Sequence, residues 1–185
     1  MRVARVAVTA AVLVAAAGAV GSIRAATRLD RLHVRTDAAW AALDAALCRR
    51  ARAVRALQAG AALHYAAEAA LLAGMDSSFG TGSRVAHRTG MAVREEVENE
   101  LGQALAILDR RGLDSASAGR LVDAEQRAVI SRRVYNDAVR DTLALRSRRM
   151  VRWLRLAGTA PLPRYFEIAE PALPSYGLEL DGAGA

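Results

Sequence analysis

Apolar residues along most of this chain recur at helical spacing, and the Ala-rich, β-branch-poor body argues against a β-sandwich or barrel. The first run is different in kind. Val6 to Ile23 carries no charge, with Arg2 and Arg5 before it and Arg24, Arg28, Arg31 and Arg35 after it. As a helix it would cover roughly 27 Å, close to the hydrocarbon thickness of a bilayer. The spacing predicts a membrane span over this stretch. A cleaved signal peptide is the rival reading, with Ala15-Ala16-Ala17 or Ala17-Gly18-Ala19 as the small-residue site. The helical pattern continues past Arg24 without a turn-rich segment, which favours a retained anchor.

From Leu29 the apolar positions step by three, four or seven. Leu29, Leu32, Thr36, Trp40, Leu43, Leu47, Val54, Leu57 and Ala61 form one stripe, which Tyr65 and Leu72 continue. One long amphipathic helix from 29 to Gly74 is predicted, with Arg49, Arg52, Arg55 and Glu68 on its other face. Met75 to Gly90 reads as turns. A second helix is expected over 91–111 on the stripe Val97, Leu101, Leu105 and Leu108. Arg110 and Arg111 suit its negative end, and Gly112 its C-terminal cap. A third is expected over 116–156, capped by Asp114 or Ser115. Leu121, Ala124, Ala128, Tyr135, Val139, Thr142 and Leu145 line one side of it, with Met150 and Trp153 further along. Asp123–Arg127 and Arg133–Asp137 are i,i+4 pairs on its outer surface. Gly158 and Pro161 stop it.

These elements predict an all-α protein: an up-and-down antiparallel helical bundle with an N-terminal transmembrane helix. The expected division is 1–28 for anchor and flanks, 29–167 for the bundle and 168–185 for a loose Pro/Gly/Ala tail.

Composition adds three points. The chain has 185 residues, and all 26 basic ones are Arg. Ala dominates, so helices can approach closely but bury less apolar area per residue. A single Cys excludes an internal disulfide framework and a Cys-based zinc site. The net charge of +7 clusters around the span and in the run Arg146, Arg148, Arg149, Arg152 and Arg155. Such a run fits anionic lipid headgroups better than nucleic acid in an anchored protein, with a solvated helix end as the plainer reading.

Several patches together resemble the LemA family of bacterial membrane-anchored helical proteins. After the span and Leu29-x-x-Leu32 come Ala39-Trp40-x-x-Leu43-Asp44-x-x-Leu47-x-Arg49-Arg50. Then follow Arg132-x-x-Tyr135-Asn136-x-x-Val139 and Gly158 with Tyr165-Phe166-Glu167. Ala53-Val54-Arg55-Ala56-Leu57 stands where the family has a Pro- and Asn-containing stretch. The family's second Tyr-Asn and its Phe-Pro are missing. The resemblance implies long antiparallel helices behind one anchor, with Trp40, Leu43, Asp44, Leu47, Arg50, Arg132, Tyr135, Asn136, Val139, Tyr165 and Phe166 in structural roles. It implies no catalytic residues.

No catalytic set emerges from the residues either, and a non-enzyme without cofactor is expected. His33, His64 and His87 are scattered, and Asp30-x-x-His33 occurs once where a carboxylate-bridged metal bundle needs two copies. Glu95, Glu96, Glu98 and Glu100 read as a solvated face or a docking patch for a basic partner. Cys48 reads as a small buried hydrophobe with no base nearby. The function expected is interaction or scaffolding at the cell membrane, with the bilayer and further membrane or envelope proteins as partners. The four Arg after the span, against two before it, point to a cytoplasmic body.

Overall fold

In a computed structural model, the described residues are 2–76, 84–158 and 160–169. They are all-helical, with no strand among them. Four long helices make the body. The first, α1, is Arg2–Ala56, continuous across the expected boundary at 28/29. Then come α2 (Ala61–Asp76), α3 (Arg84–Ala106) and α4 (Ser115–Arg146), with a short α5 (Arg149–Trp153). A 3-10 turn over Arg110–Gly112 joins α3 to α4.

The helix expected over 29–74 is two helices. Gln58 and Gly60 adopt left-handed φ of 51° and 112° and reverse the chain. A left-handed Gln is unusual; Gly60 takes this conformation without strain. The reversal packs α2 back along α1, where Arg55 meets Glu68 at 3.4 Å. It also turns the outer stripe around: Leu63, Ala67 and Ala70 are buried, while Tyr65 and Leu72 are exposed.

Contacts fix the directions. α4 runs antiparallel to α1, pairing Thr36 with Thr142 and Trp40 with Tyr135. α3 runs antiparallel to α2 and alongside α1, pairing Arg94 with Ala70 and Asp44. The order is up-down-up-down. One apolar cluster holds Trp40, Leu43, Leu47, Met91, Tyr135, Val139 and Phe166. A second holds Val54, Leu63, Leu101, Leu105 and Leu121. Below them, Leu29, Leu145 and Val151 close the end from which α1 projects.

Helix ends depart from expectation in three places. α3 stops at Ala106, so Arg110 and Arg111 belong to the 3-10 turn, and Arg110 forks onto Glu125 at 2.8 Å twice. Asp114 is the N-cap of α4, accepting from the Ser117 amide at 2.9 Å. This bonding holds its carboxyl below the ordinary range. The helix expected over 116–156 breaks at Ser147 and Arg148, which swings Trp153 into solvent. Asp123–Arg127 pairs at 2.8 Å, and Asp137 pairs with Arg140 at 2.9 Å.

Candidate functional site

Among the described residues, nothing packs over the first five turns of α1. Every described side chain from Val8 to Val20 is exposed, and the first buried one is Leu29. The bare stretch coincides with the uncharged run. Its polar groups are turned inward: Thr9 Oγ1 donates to the Arg5 carbonyl at 3.1 Å, and Ser22 Oγ to Gly18 at 2.7 Å. A helix that satisfies its own polar groups is what a hydrocarbon environment requires. This helix is long and apolar enough to cross a membrane.

At the base of that stretch sits α5. A Cβ added to Gly21 would lie 3.9 Å from Met150 Sδ, and Val151 is buried against Leu29 and Leu145. Around this contact Arg148, Arg149, Arg152 and Arg155 are exposed, as are Arg24, Arg28 and Arg31 on α1. Trp153 is 89% exposed, with Leu154 and Met150 beside it in sequence and also exposed. The break at Ser147 thus gathers two basic segments and a bare indole at one level. Arg146 is set apart, because it donates to the carbonyls of Ala160 and Pro161 at 2.9 and 3.0 Å.

His33 is half-buried at this end of the bundle. Burial holds its pKa below the ordinary 6.5, helped by Arg146 and opposed by Asp37 and Asp30. Asp30 is exposed, His64 is exposed on α2 and the side chain of His87 is outside the described residues. Among the described residues no three His, Cys, Asp or Glu side chains are grouped to hold a metal ion.

The motif residues converge on two internal structures. The first is a strap, residues 160–169, laid along the bundle. Tyr135 donates to the Arg164 carbonyl at 2.8 Å. Asn136 meets both backbone groups of Phe166, donating at 3.1 Å and accepting at 2.9 Å, as a neighbouring strand would. Phe166 is fully buried, edge-on to Trp40 at 5.6 Å, and Trp40 is edge-on to Tyr135 at 5.3 Å. On α3, Glu95 accepts from the Glu167 amide at 2.8 Å and Asn99 from Ala169 at 2.7 Å. Burial, with the charges of Asp37 and Glu95, raises the Tyr135 pKa, so its hydroxyl stays a donor. Tyr165 points outward and Arg132 is half-buried on α4. Ile168 and Ala169, expected in the loose tail, are instead held to the bundle: Ile168 packs on the core and Ala169 is bonded. Pro171 and Pro174 are outside the described residues.

The second structure is a buried charge cluster. Arg50 of α1 bonds the Glu98 carboxylate and, at 3.3 Å, its carbonyl. Arg94 meets Asp44 at 3.2 Å, Glu98 at 3.3 Å, the Ala70 carbonyl, and Cys48 Sγ at 3.6 Å. Two guanidinium and two carboxylate groups balance. The expected solvated glutamate face therefore splits: Glu98 is in the core, Glu95 holds the strap, and Glu96 and Glu100 are exposed. Cys48 is half-buried at the edge of this cluster. Gly74 of α2 covers it so closely that a Cβ there would lie 2.7 Å from Cys48 Sγ and 2.8 Å from Arg94 Nη1.

Sequence reasoning put Glu98 on a solvated face or docking patch, and missed the burial of Arg94, the role of Asn99 and the exposed collar at Met150 and Leu154. The available signal was the Arg94-x-x-x-Glu98 spacing beside Leu101 and Leu105, which puts both charges on the apolar stripe. No family model matches the chain, and neither a curated protein nor a solved structure is significantly similar to it.

Proposed function

We propose that this chain is a non-catalytic, LemA-like helical module, anchored in the cell membrane by a single pass of α1. Its body stands on the lipid surface and serves as an interaction or scaffolding unit. The observation that carries the reading is the coincidence of three boundaries. The uncharged run, the bare part of α1 and the start of the basic, Trp-bearing collar all meet near residues 21–29. Soluble proteins rarely leave so long an apolar surface uncovered. Arg and Trp at one level are the residues that favour the headgroup region.

Seven exposed Arg lie on the body side of the span in this collar, against Arg2 and Arg5 on the other. That imbalance supports a cytoplasmic body. The motif residues act inside the bundle, holding the strap and the charge cluster, which supports a structural role for them.

Two measurements test the reading. In vesicles containing anionic lipid, the emission of Trp153 shifts to the blue and is quenched by a headgroup-level quencher, with a Trp153→Phe chain giving the contribution of Trp40. An unshifted, unquenched Trp153 overturns the lipid contact. Proximity labelling in native membranes should recover reproducible protein neighbours, and recovery of none overturns the scaffolding role.

A further inference from the structure

Arg35 of α1 reaches across to Asp141 of α4 at 3.0 Å, and this pair marks the top of a seam. Arg31, Arg28 and Arg24 lie four, seven and eleven residues before Arg35, so helical spacing puts all of them on one face of α1. On the other wall no acid follows Asp141 until Glu167. There Met150 lies over Gly21 and Val151 packs with Leu29, which sets α5 and its exposed Arg148, Arg149 and Arg152 beside this part of α1. Asp30, the first acid of the chain, stands ~100° or more round the helix from each α1 arginine of the seam. None of Arg24, Arg28, Arg31, Arg148, Arg149 and Arg152 has an ion pair among the described residues.

The seam thus repeats the cation of the Arg35–Asp141 pair and omits its anion. An anion shared between the two walls completes it. Guanidinium groups suit phosphate oxygens best, gripping them with two parallel N–H donors. Height narrows the choice further. At 1.5 Å per residue, Arg31 stands roughly 10 Å above Arg24 along the helix axis. The phosphodiesters of a bilayer lie in one layer, level with Arg24 and the α5 arginines. A headgroup that carries further phosphates above its diester matches the whole ladder, while Trp153 and Leu154, exposed at the base, meet the edge of the acyl region.

We propose that the seam between α1 and the α4–α5 end binds the headgroup of a lipid bearing phosphomonoester groups. Arg24, Arg28 and Arg31 form one side of the site, and Arg148, Arg149 and Arg152 the other. This rests on the anchored reading and names the lipid that the collar takes.

The test uses the full chain in phosphatidylcholine vesicles containing either phosphatidylglycerol or a phosphatidylinositol bisphosphate, at equal total charge. A trace of either lipid with brominated acyl chains quenches Trp153 and so reads the enrichment of that lipid at the collar. A Trp153→Phe chain gives the background from Trp40. The bisphosphate lipid should be enriched severalfold over phosphatidylglycerol. Arg28→Gln with Arg31→Gln should bring the two lipids level in a chain of unchanged helicity, and Arg120→Gln, at the far end of α4, should leave the preference intact. Equal enrichment of the two lipids by the native chain overturns the proposal, as does a preference that survives the double substitution. In mixed micelles soluble inositol trisphosphate should compete only weakly. Competition as strong as that of the lipid itself would assign the seam to a free polyphosphate and overturn the lipid. Carbonate extraction of the same vesicles separates the two readings. A chain that resists extraction without showing a preference fails here alone, whereas one that washes off fails in its anchoring and here with it.

Discussion

Val12 and Val34 lie on the same continuous helix and are almost equally exposed, at 61% and 62%. Their surroundings are opposite. Around Val12 every described neighbour along the helix is apolar or small, and among the described residues no other element covers it. Around Val34 stand His33, Arg35, Thr36 and Asp37, and the helix has a buried face formed by Leu29, Thr36 and Trp40. Exposure of one Val is ordinary on a protein surface. Exposure of a whole uncharged helix is not, and the difference lies in the missing buried face. Along α1 the Ala-rich composition continues, and the placement of charge separates a bare half from a half with a buried face.

The body half has what the bare half lacks, charged groups paired with other elements. The largest expected effect therefore comes from the charge cluster. Glu98→Ala leaves Arg50 and Arg94 without their shared carboxylate, and should cost about 3–5 kcal/mol of stability. A urea titration of the full chain in detergent, followed by helical circular dichroism, reads this. A cost near zero would mean the cluster is solvated.

Phe166→Ala comes next. It empties the aromatic site against Trp40 and should cost about 3–5 kcal/mol. It also frees residues 160–169, so limited proteolysis should cut there first. A smaller effect attends Gly74→Ala. Arg94 is tied to Asp44, Glu98 and Ala70, so the added methyl has little room to be accommodated. A loss of about 1–3 kcal/mol is expected from such overpacking, and Cys48→Ala in the same chain should recover part of it.

The smallest effect is on pH. The folded pKa of His33 lies below its unfolded value, so folding favours the neutral ring. Its contribution is complete above pH 6.5 and is lost as pH falls from there through the folded pKa. Asp114 acts the same way lower down, stabilising above its unfolded value near 3.8 and losing this as pH falls through its depressed folded value. His33→Asn should remove the first decline and leave the second, as seen in melting temperatures across pH.

Much of this was legible in advance. The uncharged run, the buried stripe of α4 and the Asp114 cap follow from spacing and local chemistry. The α1–α2 reversal was hidden, because Ala59-Gly60-Ala61 barely interrupts an Ala-rich periodic pattern and Gln58 gives no warning of a left-handed turn. Glu98 was hidden because i,i+4 spacing looks alike on a wet face and a dry one. Its burial is made tolerable by Arg50, far off in sequence, together with Arg94. The strap has no periodicity at all; it is ordered by Tyr135, Asn136 and Asn99 acting on its backbone, which its own sequence does not reveal.

The most direct measurement compares Val12→Arg with Val34→Arg in otherwise native chains, by membrane fractionation after carbonate extraction. One Arg at the middle of a span costs about 2.5–3.5 kcal/mol of insertion free energy. Val12→Arg should move the protein substantially out of the membrane pellet, while Val34→Arg stays with it like the native chain. Equal retention of both would contradict the account.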